Sequence, residues 1–446
     1  MASILVVGGG VAGLACAWRL QQRGHAVHVL EREAVPGGRM RSEREGDYVV
    51  DRGAQFIASG YRNLHRVAEE LGIADRIHPV ALARNAILRD GRLLPGDYDS
   101  PFEFLRSPLL SARAKVRLPR LFWELWRNRR LLDPMQPELA APIDREDLAR
   151  YLRRVVGEEN LEYLLGPALS STFDSDPEHL SGAFALLVLR FVLGGFRLEC
   201  FEGGIGLLTQ TLARGLDVLA GCEALAVETE PGGARVRYRS AEGEHEVLAD
   251  AAVVCVPGTL VAPLCPKLTQ AERAFFANVH YVRGMIAFLL LEKAPPTLPY
   301  YGVAFPRPEG IELYGLAVDH HKPGVAPPGA GLVNVALTEA AAERLWKAPD
   351  AVVIEHVLAS LARTPVSRLT PHTRLVHRWD PMLPQFRAGY LPQLAAFLGR
   401  SVATRSPRLA FAGDYLVGPY TEAALTSGLR AANEIEAALG GGGRER

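Results

Sequence analysis

Cysteine is scarce in this chain. Five residues in 446, at positions 16, 200, 222, 255 and 265, are too few and too irregularly spaced for a disulfide framework or a thiolate zinc site. An excess of either charge is missing too: Lys plus Arg number 50 and Asp plus Glu 50. That balance argues against the strongly basic surface that a phosphodiester backbone calls for, so nucleic acid is not an expected partner. No apolar run reaches the roughly 20 residues that span a bilayer; the longest, Ser181–Phe196, carries Arg190. The N-terminus, Met1-Ala2-Ser3-Ile4-Leu5-Val6-Val7, lacks the charged region and cleavage site of a secretory signal. A reducing, cytoplasmic setting is therefore expected. Histidines do not gather three converging ligands. His25 and His28 fall at a helix end and in a strand, and Asp319-His320-His321 reads as a strand with opposed rings, so no metal is expected.

What is present begins at once. Ile4-Leu5-Val6-Val7 is a short apolar run bounded by glycine, as in a buried parallel strand. Good helix formers follow from Ala12 to Arg23, Gly24 stops them, and Ala26–Leu30 reads as a second strand. Between the first strand and the helix lies Gly8-Gly9-Gly10-Val11-Ala12-Gly13, a G-x-G-x-x-G in its required context. Gly8 allows the tight turn, Gly10 lets the backbone approach a pyrophosphate, and Gly13 lets helix and strand pack closely. The helix N-terminus supplies unpaired amides and partial positive charge. Glu31, closing the second strand, is placed to accept hydrogen bonds from ribose hydroxyls. A dinucleotide is expected; the β-α-β unit alone leaves nicotinamide and flavin both open.

Longer helices are expected at Asn63–Leu71, Ser111–Leu132, Arg145–Leu165 and Gly182–Leu193. Ala224–Thr229 and Ala234–Arg239 flank the turn Glu230-Pro231-Gly232-Gly233 as a hairpin, and Ala251–Val256 is another apolar strand. Lys293–Tyr300 and Lys322–Gly331 read as proline-rich loops, and Gly440–Arg446 as a frayed tail. Arg113–Leu132 joins seven basic residues to Phe122, Trp123 and Trp126, with Glu124 its only acid. The expected arrangement packs that aromatic stripe on the core and snorkels the arginines; peripheral membrane contact is the alternative.

Three later motifs bear on the cofactor: Pro36-Gly37-Gly38-Arg39, Leu409-Ala410-Phe411-Ala412-Gly413-Asp414, and Ser427-Gly428-Leu429-Arg430. With them the sequence resembles the flavin-containing amine oxidase superfamily over nearly its whole length, and the protoporphyrinogen oxidase branch most. Asp51-Arg52-Gly53-Ala54-Gln55-Phe56, Asp176-Pro177-Glu178-His179-Leu180-Ser181, Phe201-Glu202-Gly203-Gly204 and Arg378-Trp379 with Leu383-Pro384-Gln385-Phe386 all match segments of that branch. Two departures stand out. Gly389-Tyr390 replaces a Gly-His, and Pro419-Tyr420-Thr421-Glu422-Ala423-Ala424 looks more like the segment of amine oxidases whose tyrosine forms one wall of a substrate cage.

The resemblance implies an α/β fold: a Rossmann-like FAD-binding domain interleaved with a mixed α+β substrate domain that carries a helical insert. FAD-binding parts are expected at 1–75, 200–270 and 376–446, and substrate-domain parts at 76–199 and 271–375. Cofactor contacts are implied for Gly8, Gly10, Val11, Ala12 and Gly13, for Glu31 and Arg32, and for Gly38 and Arg39 beside the pyrophosphate. They are implied also for Gly53, Ala54, Gln55, Phe56 and Val227, for Gly413 and Asp414 on the ribitol chain, and for Ala423 and Ala424. With no cysteine in the last quarter of the chain, FAD should be non-covalent. Tyr420, Trp379 and Phe386 are the expected walls of the reacting site, and Arg84, Tyr390 and Tyr420 the expected substrate contacts. The implied reaction is dehydrogenation of a bulky apolar or conjugated substrate by hydride transfer to flavin, with dioxygen or a quinone as acceptor. Amine oxidation of secondary metabolism and non-redox flavin-dependent isomerisation are the alternatives.

Overall fold

The computed structural model describes residues 1–98, 100–230, 232–295, 298–366, 369–400, 406 and 408–441. Five parallel strands form one sheet in the order Asp217–Ala220, Ala26–Glu31, Ser3–Val7, Ala251–Val254, Leu409–Phe411. Three distant stretches of chain thus meet in one layer. Side chains alternate across it as strand geometry requires: Ile4 and Val6 pack with Ala12, Cys16 and Leu20 of the helix Val11–Gln22 and with Ala431 and Ile435 of the last helix, Thr421–Gly441. Leu5 and Val7 face the other way, toward Val227 and Val236 of an antiparallel three-stranded sheet, Glu223–Glu230, Gly233–Ser240 and Gly243–Ala249. Gly428 allows the two helices to touch, since a Cβ there would lie 2.0 Å from the Ala12 carbonyl oxygen.

A seven-stranded mixed sheet forms the second half, in the order Thr373–Pro384, Tyr281–Leu291, Gly331–Leu337, Leu313–Val318, Gly302–Ala304, Asn85–Arg89, Arg92–Pro95. Its Met285, Ala287, Val333 and Val335 pack on Val353, Ile354, Val357 and Leu361 of the helix Asp350–Ala362. The alternate residues Ile286, Asn334 and Ala336 face a cavity. Helices between Pro101 and Leu193 close over that side. No helix among the described residues is long and apolar enough to cross a membrane.

Several elements differ from expectation. The strand Thr373–Pro384 runs through the boundary drawn at 375/376, because it pairs along Tyr281–Leu291 in the second sheet; likewise Leu198–Phe201 runs through 199/200, pairing with Ile57–Ala58 and Ile77–Pro79. Pro119, which has no N–H to donate, starts a new helix, so Ser111–Leu132 is two pieces, Ala112–Arg117 and Pro119–Asn128. The second buries Leu121 and Leu125, spaced i and i+4, and that choice of face leaves Phe122, Trp123 and Trp126 outside at 55%, 57% and 55% exposure. The aromatic stripe does not pack on the core. Gly157, at φ +91°, interrupts Arg145–Leu165 after the helix Leu148–Val155. Asp319–His321 is a single tight helical turn rather than a strand. The last helix continues to Gly441, and residues 442–446 of the expected tail, Pro231 of the hairpin turn and residues 296–297 of the first proline-rich loop lie outside the described residues.

Candidate functional site

One cavity of about 1400 Å³ runs from the C-terminal edge of the parallel sheet into the space between the seven-stranded sheet and the helical insert. The two ends of this cavity are built differently.

At the sheet end, the first strand stops at Val7 and the chain turns at Gly8 with φ +106°. A Cβ at Gly8 would sit 2.7 Å from the Cys255 carbonyl oxygen, and one at Gly13 only 1.9 Å from the Gly8 carbonyl oxygen. At Gly10 the same atom would meet nothing within 4 Å, so Gly8 and Gly13 are required by packing while Gly10 leaves open space above the helix start. Gly8, Gly10, Val11 and Ala12 line the cavity. Glu31 is buried; its Oε2 accepts from Gly9 N at 2.8 Å and its Oε1 from Glu33 N at 2.8 Å. Two amides thus hold a carboxylate at the end of the second strand, with Arg32 lining the cavity beside it.

Arg39, on the turn after Gly38, donates to Asp414 Oδ2 at 2.7 Å and to the Met382 carbonyl oxygen at 2.5 Å. Tyr281 Oη donates to the other oxygen, Oδ1, of Asp414 at 2.9 Å. Burial alone would lower the Arg39 guanidinium, but Asp414 and Tyr281 hold it above its ordinary value. Gly38, Arg39, Gly53, Ala54, Gln55, Phe56, Gly413, Asp414 and Ala424 all line the cavity. Ala423 is buried behind Ala424, and Val227 is buried in the core under the three-stranded sheet. Neither reaches the cavity wall; Cys222, Glu223, Ala224 and Leu225, one turn of strand earlier, do. Gly13 acts through packing alone.

A buried ionic cluster lies under Gln55. Lys322 Nζ is 2.6 Å from Asp319 Oδ1 and 3.3 Å from Asp51 Oδ2, and it donates to Gln55 Oε1 at 3.2 Å. Asn334 Nδ2 donates to the same Gln55 oxygen at 3.2 Å and to Asp319 Oδ2 at 2.7 Å, while Gln55 Nε2 donates to the Asp51 and Gly53 carbonyl oxygens. Every polar atom of Gln55 is committed, so this side chain is held rigidly in the wall. Burial by itself lowers the Lys322 ammonium, but Asp319, Tyr301 and Asp51 keep it above its usual range. Burial raises the Asp51 carboxyl, and Lys322, Ser42 and the Ile205 amide oppose that rise. No motif marked Lys322 or Asn334; they come from the second sheet and the loop after it, and only the fold sets them beside Gln55.

The far end is apolar, with Leu164, Leu165, Leu169, Phe184, Leu187 and Phe191 of the insert facing Ile286 and Leu316 of the sheet. Trp379 lines it, its Nε1 donating to the Arg52 carbonyl oxygen at 2.8 Å. Tyr420 lines it as well, stacked on Tyr61 with centroids 6.0 Å apart and its hydroxyl donating to the Pro134 carbonyl oxygen at 2.6 Å. The other expected wall residue, Phe386, is fully buried and stacked on Phe184 at 4.5 Å, one layer behind the wall. Tyr390 is buried with its hydroxyl on the Tyr415 carbonyl oxygen at 2.7 Å, also away from the cavity. Arg84 is exposed, and its neighbours Ala83 and Asn85 line the cavity instead. One carboxylate that sequence patterning did not mark, Asp174, lines this apolar end. No group of three metal-ligating side chains occurs among the described residues.

The donor set at the sheet end fits a flavin adenine dinucleotide: open helix amides, a carboxylate closing the second strand, an arginine on the second glycine turn and a carboxylate after the last strand. Comparison with known proteins agrees. Residues 11–436 match the model of the flavin containing amine oxidoreductase family, and the chain belongs to that family. It is related to protoporphyrinogen oxidase 2 of Arabidopsis thaliana, at 28% identity over 181 residues, 40% of this chain and 34% of the plant protein. The match therefore spans about a third of that relative. Coproporphyrinogen III oxidase of Bacillus subtilis is 22% identical over a 456-position alignment that covers 93% of each chain. Among solved structures, cyclohexylamine oxidase from Brevibacterium oxydans superposes with a TM-score of 0.76 at 18% identity, covering 98% of this chain and 99% of the other.

Proposed function

We propose that this protein is an FAD-dependent oxidase that dehydrogenates a bulky, largely apolar substrate held in the far end of the cavity. The supporting observation is one continuous space of about 1400 Å³, larger than the roughly 300–1,000 Å³ of an ordinary small-molecule site, with a dinucleotide cradle at one end and apolar walls at the other. Bound FAD supplies a hydride acceptor. The chain's own task is to orient substrate between Trp379, Tyr420 and the leucine-rich insert and to keep water out. A substrate carbon next to nitrogen, or a ring carbon of a porphyrinogen-type molecule, suits such a site, with dioxygen or a quinone returning the cofactor to its oxidised form. Amine oxidation is the second reading, favoured by the Tyr61–Tyr420 stack and by Asp174 in the wall.

Non-covalent attachment is supported by the cysteines: burial pushes the Cys255 thiol well above its ordinary range, away from the nucleophilic thiolate, although it lines the cavity. All five cysteines are free, in keeping with a reducing compartment. The exposed Phe122, Trp123 and Trp126, set among Arg113, Arg117, Arg120 and Arg127, form a surface suited to peripheral contact with anionic lipid. The deciding experiment is anaerobic mixing of the purified protein with porphyrinogen, amine and polyene substrates, followed near 450 nm, roughly where oxidised flavin absorbs. Bleaching by one class, reversed by air with peroxide release, is the expected result. A colourless protein that gains no absorbance with FAD sinks the flavin reading, and activity only after pre-reduction makes the protein an isomerase.

A further inference from the structure

Asp174 occupies an unusual position. It follows the helix Gly166–Phe173, lines the apolar end of the cavity, and is held in the left-handed region at φ 47°, ψ 41°. Glycine is the residue such a helix end prefers. Its Oδ1 is buried with no hydrogen-bond partner, and no cation pairs with it among the described residues. The neighbouring hydroxyls are spent elsewhere: Ser171 Oγ and Thr172 Oγ1 both donate to the Ala168 carbonyl oxygen, at 3.3 and 2.7 Å. The charged group that acts on it is another acid, Glu339, whose Oε1 accepts from Ser175 Oγ, the Asp176 amide and Gln385 Nε2 and whose Oε2 meets His179 Nδ1 at 2.8 Å. Burial and then Glu339 push the Asp174 carboxyl up to about 7. A carboxylate in an apolar wall, unpaired and beside a second acid, is costly unless something completes it. Tyr301 Oη and Thr421 Oγ1, which also line the cavity, are buried without a partner too, but Asp174 is the carboxylate among these three.

We propose that Asp174 is a specificity-determining residue whose carboxylate accepts a hydrogen bond from an N–H group of the substrate. This rests on the reading of the far end as the substrate chamber. Two sources carry the required N–H, a protonated amine and a pyrrole ring of a porphyrinogen, and charge separates them. An ammonium needs the negative charge of Asp174; a neutral pyrrole N–H needs only an oxygen acceptor, which an amide also offers.

The test uses the FAD-loaded protein, with cyclohexylamine and coproporphyrinogen III as probes, and follows anaerobic flavin bleaching as a function of probe concentration in wild type, Asp174→Asn and Asp174→Gly. The glycine variant removes the carboxylate while suiting the left-handed backbone, so it should fold at least as well; FAD content and melting temperature check this. The inference predicts half-saturation weakened about tenfold or more in Asp174→Gly, with the limiting rate within about threefold of wild type. An equal loss in Asp174→Asn for cyclohexylamine identifies an ammonium; a loss in Asp174→Asn below threefold for coproporphyrinogen III identifies a pyrrole. Wild type bleached by either probe, with both variants unchanged, overturns this inference alone. Wild type bleached by neither probe overturns this inference, and only if a polyene also fails to bleach it does the oxidase reading fall as well.

Discussion

The two ends of the cavity are built by opposite means. The cradle is mostly backbone: a glycine turn, the open start of a helix and a few charges, each already fixed by another group, as Glu31 is by two amides and Arg39 by Asp414. Close approach of backbone is its main device, and the glycine turn, the helix start and Glu31 follow from local sequence, while Arg39 is fixed by the distant Asp414. The chamber is mostly side chain, with apolar walls drawn from the helical insert and from alternate positions of a mixed sheet. Its acid without a partner, Asp174, sits at a positive φ and is orphaned rather than satisfied. A generic dinucleotide wants the first kind of site, and a particular substrate wants the second.

Lys322 joins the two ends, so its loss should be the severest break. Lys322→Met leaves Asp51 and Asp319 buried without their cation, for which about 3–5 kcal/mol is expected; a fall in denaturation midpoint, with loosened FAD, would show Gln55 to be held from the chamber side. On the cradle side, Gly13→Ala forces a Cβ to within 1.9 Å of the Gly8 oxygen. A cost of about 1–3 kcal/mol, accompanied by loss of FAD from the purified protein, is expected; retention of full flavin content would show that helix and strand can part without harm. Glu31→Gln keeps an oxygen for one amide but loses the charge, and should weaken FAD roughly tenfold, about 1.4 kcal/mol, in fluorescence titration while leaving substrate half-saturation unchanged.

Asp174 separates the ends by pH. Its carboxyl is raised in the folded protein to about 7 from 3.8, so the folded state binds that proton more tightly than the unfolded chain, and wild-type stability drains away as pH climbs through this interval. Asp174→Asn escapes the loss. Its melting temperature should exceed wild type at pH 8 by roughly 2–4 °C and converge with it near pH 4; identical profiles would mean that the carboxylate is solvated by the chamber. The smallest effect on stability is expected outside both ends. Trp123→Ser with Trp126→Ser should change unfolding free energy by about 0.5 kcal/mol or less, yet reduce sedimentation with phosphatidylserine vesicles if that surface meets lipid.

The cradle was legible because its chemistry is contiguous or nearly so. Gly8 to Gly13, Glu31 and Arg39 fall within one β-α-β unit and the turn after it, and hydrophobic periodicity placed the strand, the helix and the second strand close to their observed bounds. Asp414 was readable as a strand-end acid. Wall positions were harder. Phe386 matches a motif segment and Tyr390 stands where the family pattern departs, yet both lie behind the cavity wall, since a sequence position records which residue is present and not which way the backbone turns it. The insert helix Pro119–Asn128 shows the same limit: a stripe of aromatics and a stripe of leucines were both available, and the leucines went inside.

Local order along the chain determined the glycine turn, the open helix start and the carboxylate at the end of the second strand, because these act over a few residues, whereas the Arg39–Asp414 pair needed the fold. Tertiary structure alone decided the chamber. Asn334 and Lys322 meet Gln55 across some 270 residues of chain, and Asp174 becomes an unpaired acid only when the insert folds over the second sheet. Composition gave a neutral charge balance, and it could not show that one carboxylate oxygen, Asp174 Oδ1, would be buried in the cavity wall without a partner.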